Sequence, residues 1–151
     1  MSKPLMMSTS QPIVRRATAE EVWPLRHAVL RAGLPSDTAM FDGDLDDTTR
    51  HFGTFAGRNV LCCLSLFHST WNDSDAWQLR GMATAATHQR QGFGQLLLIF
   101  AIDKARQEEP SWPFWCNART DAIGFYEQAG WSTATDVFDI PTAGPHVKMH
   151  F

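Results

Sequence analysis

Apolar and polar residues recur along the first third of this chain in patterns that predict one strand, one helix and a long irregular segment. Residues 12–16 are typical of a short edge strand, and Thr18 with Glu21 three residues later forms a capping box that opens a helix. The helix is predicted to end at Gly33 and Pro35. Its apolar side chains share one face: Val22, Leu25, Val29 and Leu30.

The middle of the chain alternates as strands do. Residues 51–56 and 60–67, joined by a turn at 57–59, predict two antiparallel strands of a hairpin. The second strand is almost entirely apolar, which indicates a central strand covered on both faces. After a turn at 72–75, residues 76–84 predict a third strand, which leads into a segment containing two closely spaced glycines.

The last third returns to a helical period and then to strands. A helix that ends before Pro110 is predicted from one helical stripe, which is apolar except for its last residue: Phe93, Leu96, Leu97, Phe100, Ala101 and Lys104. A buried strand follows at 112–117, and Thr120 or Asp121 is expected to cap a helix that ends at Gly130. Residues 131–140 predict a strand, 141–145 a turn, and 146–151 a final strand.

This order of elements predicts an α/β (α+β) protein. We expect a mixed, mostly antiparallel sheet of about six to seven strands flanked by helices. The 151 residues suit one domain spanning residues 1–151, in which residues 1–10 are expected to be flexible.

Composition narrows the class of protein further. The hydrophobic share of 44% and the charged share of 19% are those of a globular protein. The net charge of -3 argues against a nucleic-acid partner and suits a small or cationic ligand. No apolar run has the length of a signal peptide or of a membrane span, and Cys62, Cys63 and Cys116 are expected to be buried free thiols. The sequence thus predicts a cytoplasmic protein without membrane binding, and homodimerisation stays open.

Charged side chains gather in two places near the predicted first helix. Arg26, His27 and Arg31 on its polar side are expected mainly to face solvent, with contact to a substrate as the alternative. Residues 34–47 hold five aspartates, but they lack a glycine and a closing glutamate at the positions that a calcium-binding EF-hand requires. This acidic segment is either a solvated loop or a rim that attracts an amine. Its aspartates are Asp37, Asp42, Asp44, Asp46 and Asp47.

The segment from Gln89 to Gly94 is typical of an anion-binding loop, with a plain strand-to-helix turn as the alternative. Gly92 and Gly94 leave room for a ligand beside backbone N–H groups, the next helix adds the positive end of its dipole, and Arg90 adds a charge. We expect both glycines to matter more for the ligand than for the fold. The dinucleotide fingerprint is excluded because Leu97 replaces its third glycine, and Gln95 excludes the Walker motif.

Three separate blocks of the chain resemble the GNAT superfamily of N-acetyltransferases. Residues 89–94 resemble its Gln/Arg-x-x-Gly-x-Gly/Ala pyrophosphate loop, and Asn117 with residues 122–131 resembles its Asn followed by Ala-x-x-Phe-Tyr-x-x-x-Gly-Phe. Residues 144–149 resemble the last strand of a bacterial subgroup whose substrate is unassigned. The resemblance implies a GNAT-like fold that binds acetyl-coenzyme A. It assigns the coenzyme site to Met82, Ala83, Thr84, Gln89, Arg90, Gln91, Gly92, Phe93, Gly94, Asn117 and Phe125, and it implies no metal.

The same resemblance suggests a catalytic acid and leaves the base open. Tyr126 matches the family position whose hydroxyl lies near the coenzyme sulfur, so it is the candidate acid, with a packing role as the alternative. Many members carry a Glu on the strand before the glycine loop, but residues 77–84 contain no carboxylate. His146 or a water chain is then the candidate base, and three other histidines rank lower: His51, His68 and His27.

Three functions are compatible with these observations. The first is an enzyme that moves an acetyl group from acetyl-coenzyme A to a primary amine of a small molecule or a peptide. The second, the alternative to this enzyme, is a non-catalytic acyl-coenzyme A sensor, which the missing carboxylate leaves open. The third, a nucleotide-binding regulatory module, would share the anion loop but would have no use for the block around Tyr126.

Overall fold

The strands and helices follow the predicted order closely in the computed structural model, which describes residues 11–151. The expectation for residues 1–10 lies outside the described residues. The strands are β1 (Ile13–Ala17), β2 (Arg50–Ala56), β3 (Asn59–Trp71), β4 (Ser74–Thr84), β5 (Phe114–Arg119), β6 (Ser132–Thr133), β7 (Phe138–Ile140) and β8 (Gly144–His150). The α-helices are α1 (Ala19–Leu30), α2 (Phe93–Glu108) and α3 (Ile123–Gln128), with single 3₁₀ turns at Ser36–Ala39, Ala86–His88 and Thr120–Ala122.

The strands form one sheet in the order β1-β2-β3-β4-β5-β8-β6, and β7 also pairs with β8. All neighbours are antiparallel except β4 and β5, so the predicted mixed, mostly antiparallel sheet flanked by helices is confirmed. The sheet has eight strands because the predicted strand 131–140 is divided in two. Between the two parts, the Thr135 hydroxyl accepts a hydrogen bond from the Lys148 N–H at 2.9 Å, which replaces a strand-to-strand bond.

Local sequence signals explain several element boundaries. The capping box that opens α1 is present, since the Glu21 N–H donates to Thr18 Oγ1 at 3.2 Å and the Thr18 N–H donates to Glu21 Oε1 at 2.9 Å. The strands β3 and β4 run longer than predicted and meet at a tight turn. Its residues Asn72 and Asp73 have φ angles of 50° and 64°, as a hairpin turn of two residues requires.

The two faces of the sheet are covered by different helices. Helices α2 and α3 pack on one face, where Leu64, Trp77 and Phe114 are fully buried. Helix α1 covers β3 and β4 on the other face, where Val22 and Leu25 pack near Cys63 and Ala83. The prediction that the apolar strand β3 is central and covered on both faces is therefore confirmed.

Two helical predictions need correction. The buried stripe of α2 is Leu97, Leu98, Ala101, Ile102 and Ala105, whereas Leu96 is 61% exposed. Apolar residues occupy more than one face of this helix. The spacing of apolar residues alone therefore did not identify which face of α2 is buried. Neither Thr120 nor Asp121 caps α3 through its side chain, because a 3₁₀ turn precedes the helix, which begins at Ile123.

Arg26 and Asp44 were expected in solvent, and both predictions are wrong. Their side chains form a buried ion pair, with Arg26 Nη1 2.7 Å from Asp44 Oδ2. The same carboxylate accepts hydrogen bonds from Trp23 Nε1 and from the Phe41 N–H, both at 2.8 Å. Arg26 also donates to the Ala39 carbonyl. The ion pair therefore joins α1 to the acidic segment of residues 34–47. This gives a structural role to a segment whose only regular element is the 3₁₀ turn at Ser36–Ala39.

A chain of hydrogen bonds continues from this ion pair into the sheet. Arg26 Nη2 donates to Ser65 Oγ at 2.9 Å, Ser65 Oγ lies 2.6 Å from His51 Nδ1, and His51 Nε2 lies 2.8 Å from the Asp44 carbonyl. Because a carbonyl only accepts, His51 donates from Nε2. Burial lowers the pKa of His51, which favours the neutral ring, and in that form Nδ1 accepts from the Ser65 hydroxyl. Both ring nitrogens are occupied, which is consistent with the low rank of His51 as a base.

No helix within residues 11–151 has both the length and the apolar character needed to cross a membrane.

Candidate active site

A cleft opens where β4 and β5 separate. The two parallel strands pair only at Trp77–Phe114, Gln78–Trp115 and Leu79–Cys116. Beyond these positions both strands continue, but they are no longer paired with each other. The resulting wedge has a volume of about 750 Å³. Residues from the end of α1, from β4, from the glycine loop, from β5 and α3, and from the β7–β8 turn line it.

One wall of the cleft is an unpaired strand edge. On its other side β4 pairs with β3 through Ala83–Cys63 and Thr84–Cys62, but its edge facing β5 has no partner after Leu79. A bulge lies in this stretch, and Gly81 there has a φ of 69°. Backbone donors and acceptors near Met82 thus face the cleft, where an extended amide-containing ligand can pair with them.

The glycine loop lies at the end of this edge. Arg90 and Gly92 have φ angles of 62° and 85°, which turn the loop immediately before α2. The first backbone bond of α2 is from the Leu96 N–H to the Gly92 carbonyl, and no side chain caps the helix. The N–H groups of the first turn are therefore available to an anion. Gln89 holds the loop in place by donating to the Thr84 carbonyl at 3.2 Å.

The two glycines of the loop have different roles, which corrects the expectation for Gly94. A Cβ at Gly92 would meet no atom within 4 Å, so the space beside it is open. A Cβ at Gly94 would lie 2.9 Å from Phe125 Cε1, so this glycine allows α2 to pack against α3. Gln95 Nε2 donates to the Phe125 carbonyl at 2.7 Å and reinforces the same contact.

We expect Gly92→Val to reduce coenzyme affinity by roughly 10- to 100-fold, since its side chain would enter the open space and displace an anion from charge-assisted bonds. The positive φ should add about 1–2 kcal/mol of destabilisation. Gly94→Val should instead mainly lower the melting temperature by displacing Phe125. Calorimetric titration with coenzyme A and thermal melts distinguish the two, with Gly124→Ala as the control, because a Cβ at Gly124 meets nothing within 4 Å. Unchanged affinity in Gly92→Val would mean that the phosphates bind elsewhere.

Tyr126 lies at the cleft on the side of α3. Its side chain is buried against Phe125 and Trp131, with ring centroids 5.1 and 5.3 Å away. Burial raises the pKa of Tyr126 well above its ordinary value, and the neighbouring Cys116 thiol raises it further. The hydroxyl consequently keeps its proton at neutral pH, and it is hydrogen-bonded to the Cys116 side chain. The Cys116 thiol does not form a thiolate at neutral pH, because burial raises the pKa of Cys116 to about 12.

His146 lies on β8 and lines the cleft with its partner strand β5. Its Nδ1 is 2.8 Å from the Gly144 carbonyl, so Nδ1 carries the hydrogen in the neutral ring and Nε2 has a free lone pair. The ring is 5% exposed and lies 6.3 Å from the ring of Phe138. The chain thus provides a proton donor and a proton acceptor at one cleft.

Nine of the thirteen proposed site residues line this cleft: Met82, Ala83, Thr84, Gln89, Arg90, Asn117, Phe125, Tyr126 and His146. The other four, Gln91, Gly92, Phe93 and Gly94, belong to the loop and to the first turn of α2. Asn117 was expected at a strand end, but it lies within β5 and its Oδ1 accepts a hydrogen bond from Lys148 Nζ at 3.0 Å.

Arg31, for which the sequence left contact to a substrate as the alternative, lines the part of the cleft nearest α1. Phe41, Arg80 and Arg119 line it as well, and the sequence did not assign them to a site. The sequence signal for Arg80 is a charged residue inside an otherwise buried strand.

Comparison with known proteins places this chain in a family and shows which solved structures share its fold. Residues 16–131 match the acetyltransferase (GNAT) family. The chain is 29% identical over 140 residues to the uncharacterized N-acetyltransferase YitI of Bacillus subtilis, covering 91% of this chain and 93% of that protein. The crystal structure of Escherichia coli ElaA superimposes with a TM-score of 0.79 at 16% identity, covering 93% of this chain and 99% of ElaA. An aminoglycoside 6'-N-acetyltransferase complexed with coenzyme A superimposes with a TM-score of 0.72 at 9% identity, covering 92% of this chain and 96% of that enzyme's chain.

The family match over most of the chain identifies an enzyme of the N-acetyltransferase class. The chain belongs to the GNAT acetyltransferase family, as the three resemblances in its sequence indicated.

Proposed function

We propose that the protein transfers the acetyl group of acetyl-coenzyme A to a primary amine. The observation that carries this proposal is the unpaired edge of β4, which leads directly to the uncapped first turn of α2. Such an edge followed by an anion site matches a ligand that has an amide-containing arm ending in a pyrophosphate. The coenzyme A complex of the aminoglycoside acetyltransferase, which shares the fold, supports the same choice of coenzyme.

The residues of this chain fit the coenzyme in type as well as in position. Met82, Ala83 and Thr84 would hold the arm through their backbone, and residues 89–94 would hold the phosphates. Arg90, Gly92 and Gln91 are all exposed, so the loop is accessible to a bound anion. Asn117 and Phe125 would border the arm from the other side of the cleft. Acetyl-coenzyme A supplies the acetyl group as a thioester.

Two side chains would move the protons of the reaction. His146 Nε2 accepts the proton that the amine loses as its nitrogen forms the new bond to the acetyl carbon, directly or through water. Tyr126 donates its hydroxyl proton to the sulfur as the carbon–sulfur bond breaks. Unpaired backbone N–H groups on the β4 edge would donate hydrogen bonds to the oxyanion that develops on the acetyl group. The products are an acetylated amine and a free thiol.

Turnover separates this proposal from a non-catalytic acyl-coenzyme A sensor. The purified protein is mixed with acetyl-coenzyme A and a panel of amines, and thiol release is followed together with the mass of the products. An amine that gains one acetyl group supports the enzyme. Tight binding of acetyl-coenzyme A without acetylation of any amine would favour the sensor. We further propose a cytoplasmic location, which suits the free thiols of Cys62, Cys63 and Cys116.

We expect acetyl-coenzyme A to stabilise the fold, because its site joins the two parts of the sheet at their divergence. At about 100 times its dissociation constant the ligand should add roughly 2.7 kcal/mol to the free energy of unfolding. A thermal melt with and without the ligand measures this, with ATP and NAD as controls. A melt that ATP or NAD shifts while acetyl-coenzyme A leaves it unchanged would contradict the assignment of the cofactor.

A further inference from the structure

We propose that the acceptor amine carries a carboxylate, which Arg80 and Arg31 bind at the α1 side of the cleft. This inference rests on the proposed function, since it names the class of amine that the enzyme acetylates. The observation behind it is a pair of arginines that have no acidic partner within residues 11–151 and that line the site where an acceptor would enter.

The charge of the cleft is opposite to that of the whole protein. Its charged lining residues are four arginines and one aspartate: Arg31, Arg80, Arg90, Arg119 and Asp121. The complete chain, in contrast, has a net charge of -3. Positive charge is therefore concentrated at this site, where it raises the local concentration of anions and lowers that of cations.

Arg90 and Arg80 lie on different sides of the sheet. Arg90 belongs to the loop before α2 and serves the phosphates of the proposed coenzyme. Arg80 pairs in register with Ser65, whose hydroxyl binds Arg26 of α1, so the Arg80 side chain lies on the α1 face. Helix α2 packs on the opposite face. The coenzyme phosphates thus account for Arg90 but not for Arg80, which leaves Arg80 for the acceptor.

Arg80 is held in place without being neutralised. Its guanidinium lies 4.5 Å from the ring centroid of Phe41 and 5.3 Å from that of Phe67. Stacking of this kind orients the plane of the guanidinium and leaves its N–H edge available. Within the described part of the chain, Arg80 forms neither a hydrogen bond nor an ion pair through its side chain. Burial lowers the pKa of Arg80, and the charge of Arg26 lowers it further.

Arg31 extends the same positive site. Its guanidinium lies 5.3 Å from the centroid of the Phe41 ring, and Nη1 donates to the Leu30 carbonyl at 3.0 Å. Arg26, which also stacks on Phe41 at 3.9 Å, is different because Asp44 neutralises it. Asp42 attracts Arg80 from the exposed segment but forms no ion pair with it. Asp44 is used within the fold and so does not belong to the amine-attracting rim that the sequence suggested, whereas the other four aspartates of the acidic segment are exposed.

A carboxylate is the group that fits this arrangement. A guanidinium with a free edge forms two parallel hydrogen bonds to a carboxylate, and a second guanidinium nearby strengthens the pair. Phe41 adds an apolar surface for the carbon chain between the carboxylate and the amine. Amino acids and peptides with a free carboxylate meet these requirements, whereas polyamines would place a second cation beside Arg80.

The test compares amines that differ in one charged group. The probes are glycine, β-alanine and γ-aminobutyrate, a series in which the carboxylate moves away from the amine, against propylamine and putrescine, with aminoethyl phosphate as the alternative anion. We expect kcat/KM to be highest for a carboxylate-bearing amine and to fall as salt is added. A preference for propylamine or putrescine, or for the phosphate compound over all carboxylates, would overturn the proposal.

The variant Arg80→Met retains an unbranched side chain between the two Phe rings and removes the charge. We expect it to raise KM for the best carboxylate amine by roughly 10- to 100-fold, because a charge-assisted hydrogen bond is lost. KM for acetyl-coenzyme A should stay within about twofold of the parent value. Arg58→Met, which removes an exposed charge from the turn after β2, is the matched control and should leave both values unchanged. Equal losses for carboxylate and uncharged amines in Arg80→Met would contradict a carboxylate site.

A binding measurement keeps this inference separate from the proposed function. The protein saturated with coenzyme A is titrated with the same amines, and the melting temperature is recorded for the parent and for Arg80→Met. Acetylation of uncharged amines alone would refute the inference and leave the enzyme function intact. If no amine were acetylated, the proposed function would fail. In that case a melting-temperature rise with carboxylate amines that requires Arg80 would still support the anion site, and its absence would refute the site.

Discussion

Replacing Tyr126 by Phe is expected to lower kcat by about 100-fold, which corresponds to a barrier increase near 3 kcal/mol. The substitution retains the ring contacts with Phe125 and Trp131 and removes only the hydroxyl. Because the proposed role of that hydroxyl is to protonate the departing sulfur, coenzyme affinity and the melting temperature should change little. The measurement is kcat at saturating acceptor across pH, together with calorimetric titration of coenzyme A.

The control for this experiment is Cys116→Ala, which removes the packing and the hydrogen-bond partner beside Tyr126 and keeps the hydroxyl. We expect a modest loss of stability and a kcat within about threefold of the parent, since a small cavity costs on the order of 1 kcal/mol. If Tyr126→Phe retained kcat within twofold, the tyrosine would be a packing residue. A comparable loss of kcat in Cys116→Ala would mean that packing, rather than proton donation, sets the rate.

Replacing Asp44 by Asn is expected to lower the free energy of unfolding by about 3–5 kcal/mol, because Arg26 would keep a buried charge without its counterion. The side chains of both residues are almost completely shielded from solvent. Denaturant unfolding of Asp44→Asn measures the loss, and Asp42→Asn, in an exposed neighbour, should stay near zero. The double variant Arg26→Met/Asp44→Asn should lose less than the sum of the two single variants, since it leaves no unpaired charge. Strict additivity would exclude a direct pair.

The same carboxylate should make stability depend on pH. Burial opposes ionisation of Asp44, but hydrogen bonds from Arg26, Trp23 and the Phe41 N–H outweigh it and lower its pKa below the ordinary 3.8. A lowered pKa in the folded state stabilises the protein above pH 3.8, and this contribution is lost as the pH falls through the folded pKa. Glu21 and Glu108 also have lowered pKa values, so the comparison with Asp44→Asn isolates the contribution of Asp44.

Local signals in the sequence were sufficient for most of the fold. The capping box of Thr18 and Glu21 marked the start of α1, and the glycines before Phe93 marked the start of α2. Such signals are readable because they act within a few residues of one another. The proposed coenzyme side of the cleft could be outlined for the same reason, since the β4 edge and the glycine loop are consecutive in the chain.

The acceptor side was not predictable in this way. Arg26 and Asp44 are 18 positions apart, and Asp44 lies in a segment without a repeating pattern. Nothing in the local sequence distinguishes it from the exposed Asp42, Asp46 and Asp47. Arg80 faces the cleft only because β4 and β5 separate after Leu79, which depends on strand pairing across the crossover through α2. These features follow from tertiary packing, which propensity and periodicity do not encode.

The unpaired edge of β4 also bears on how this protein avoids aggregation. A free row of backbone donors and acceptors is a template on which another extended chain can add, and sheet proteins usually protect such edges. Here the bulge at Gly81, where φ is 69°, interrupts the regular spacing that a flat strand would need. The edge is also recessed in a wedge between two parts of one sheet. An isolated ligand arm can enter that wedge, whereas a strand that belongs to another folded sheet is kept out.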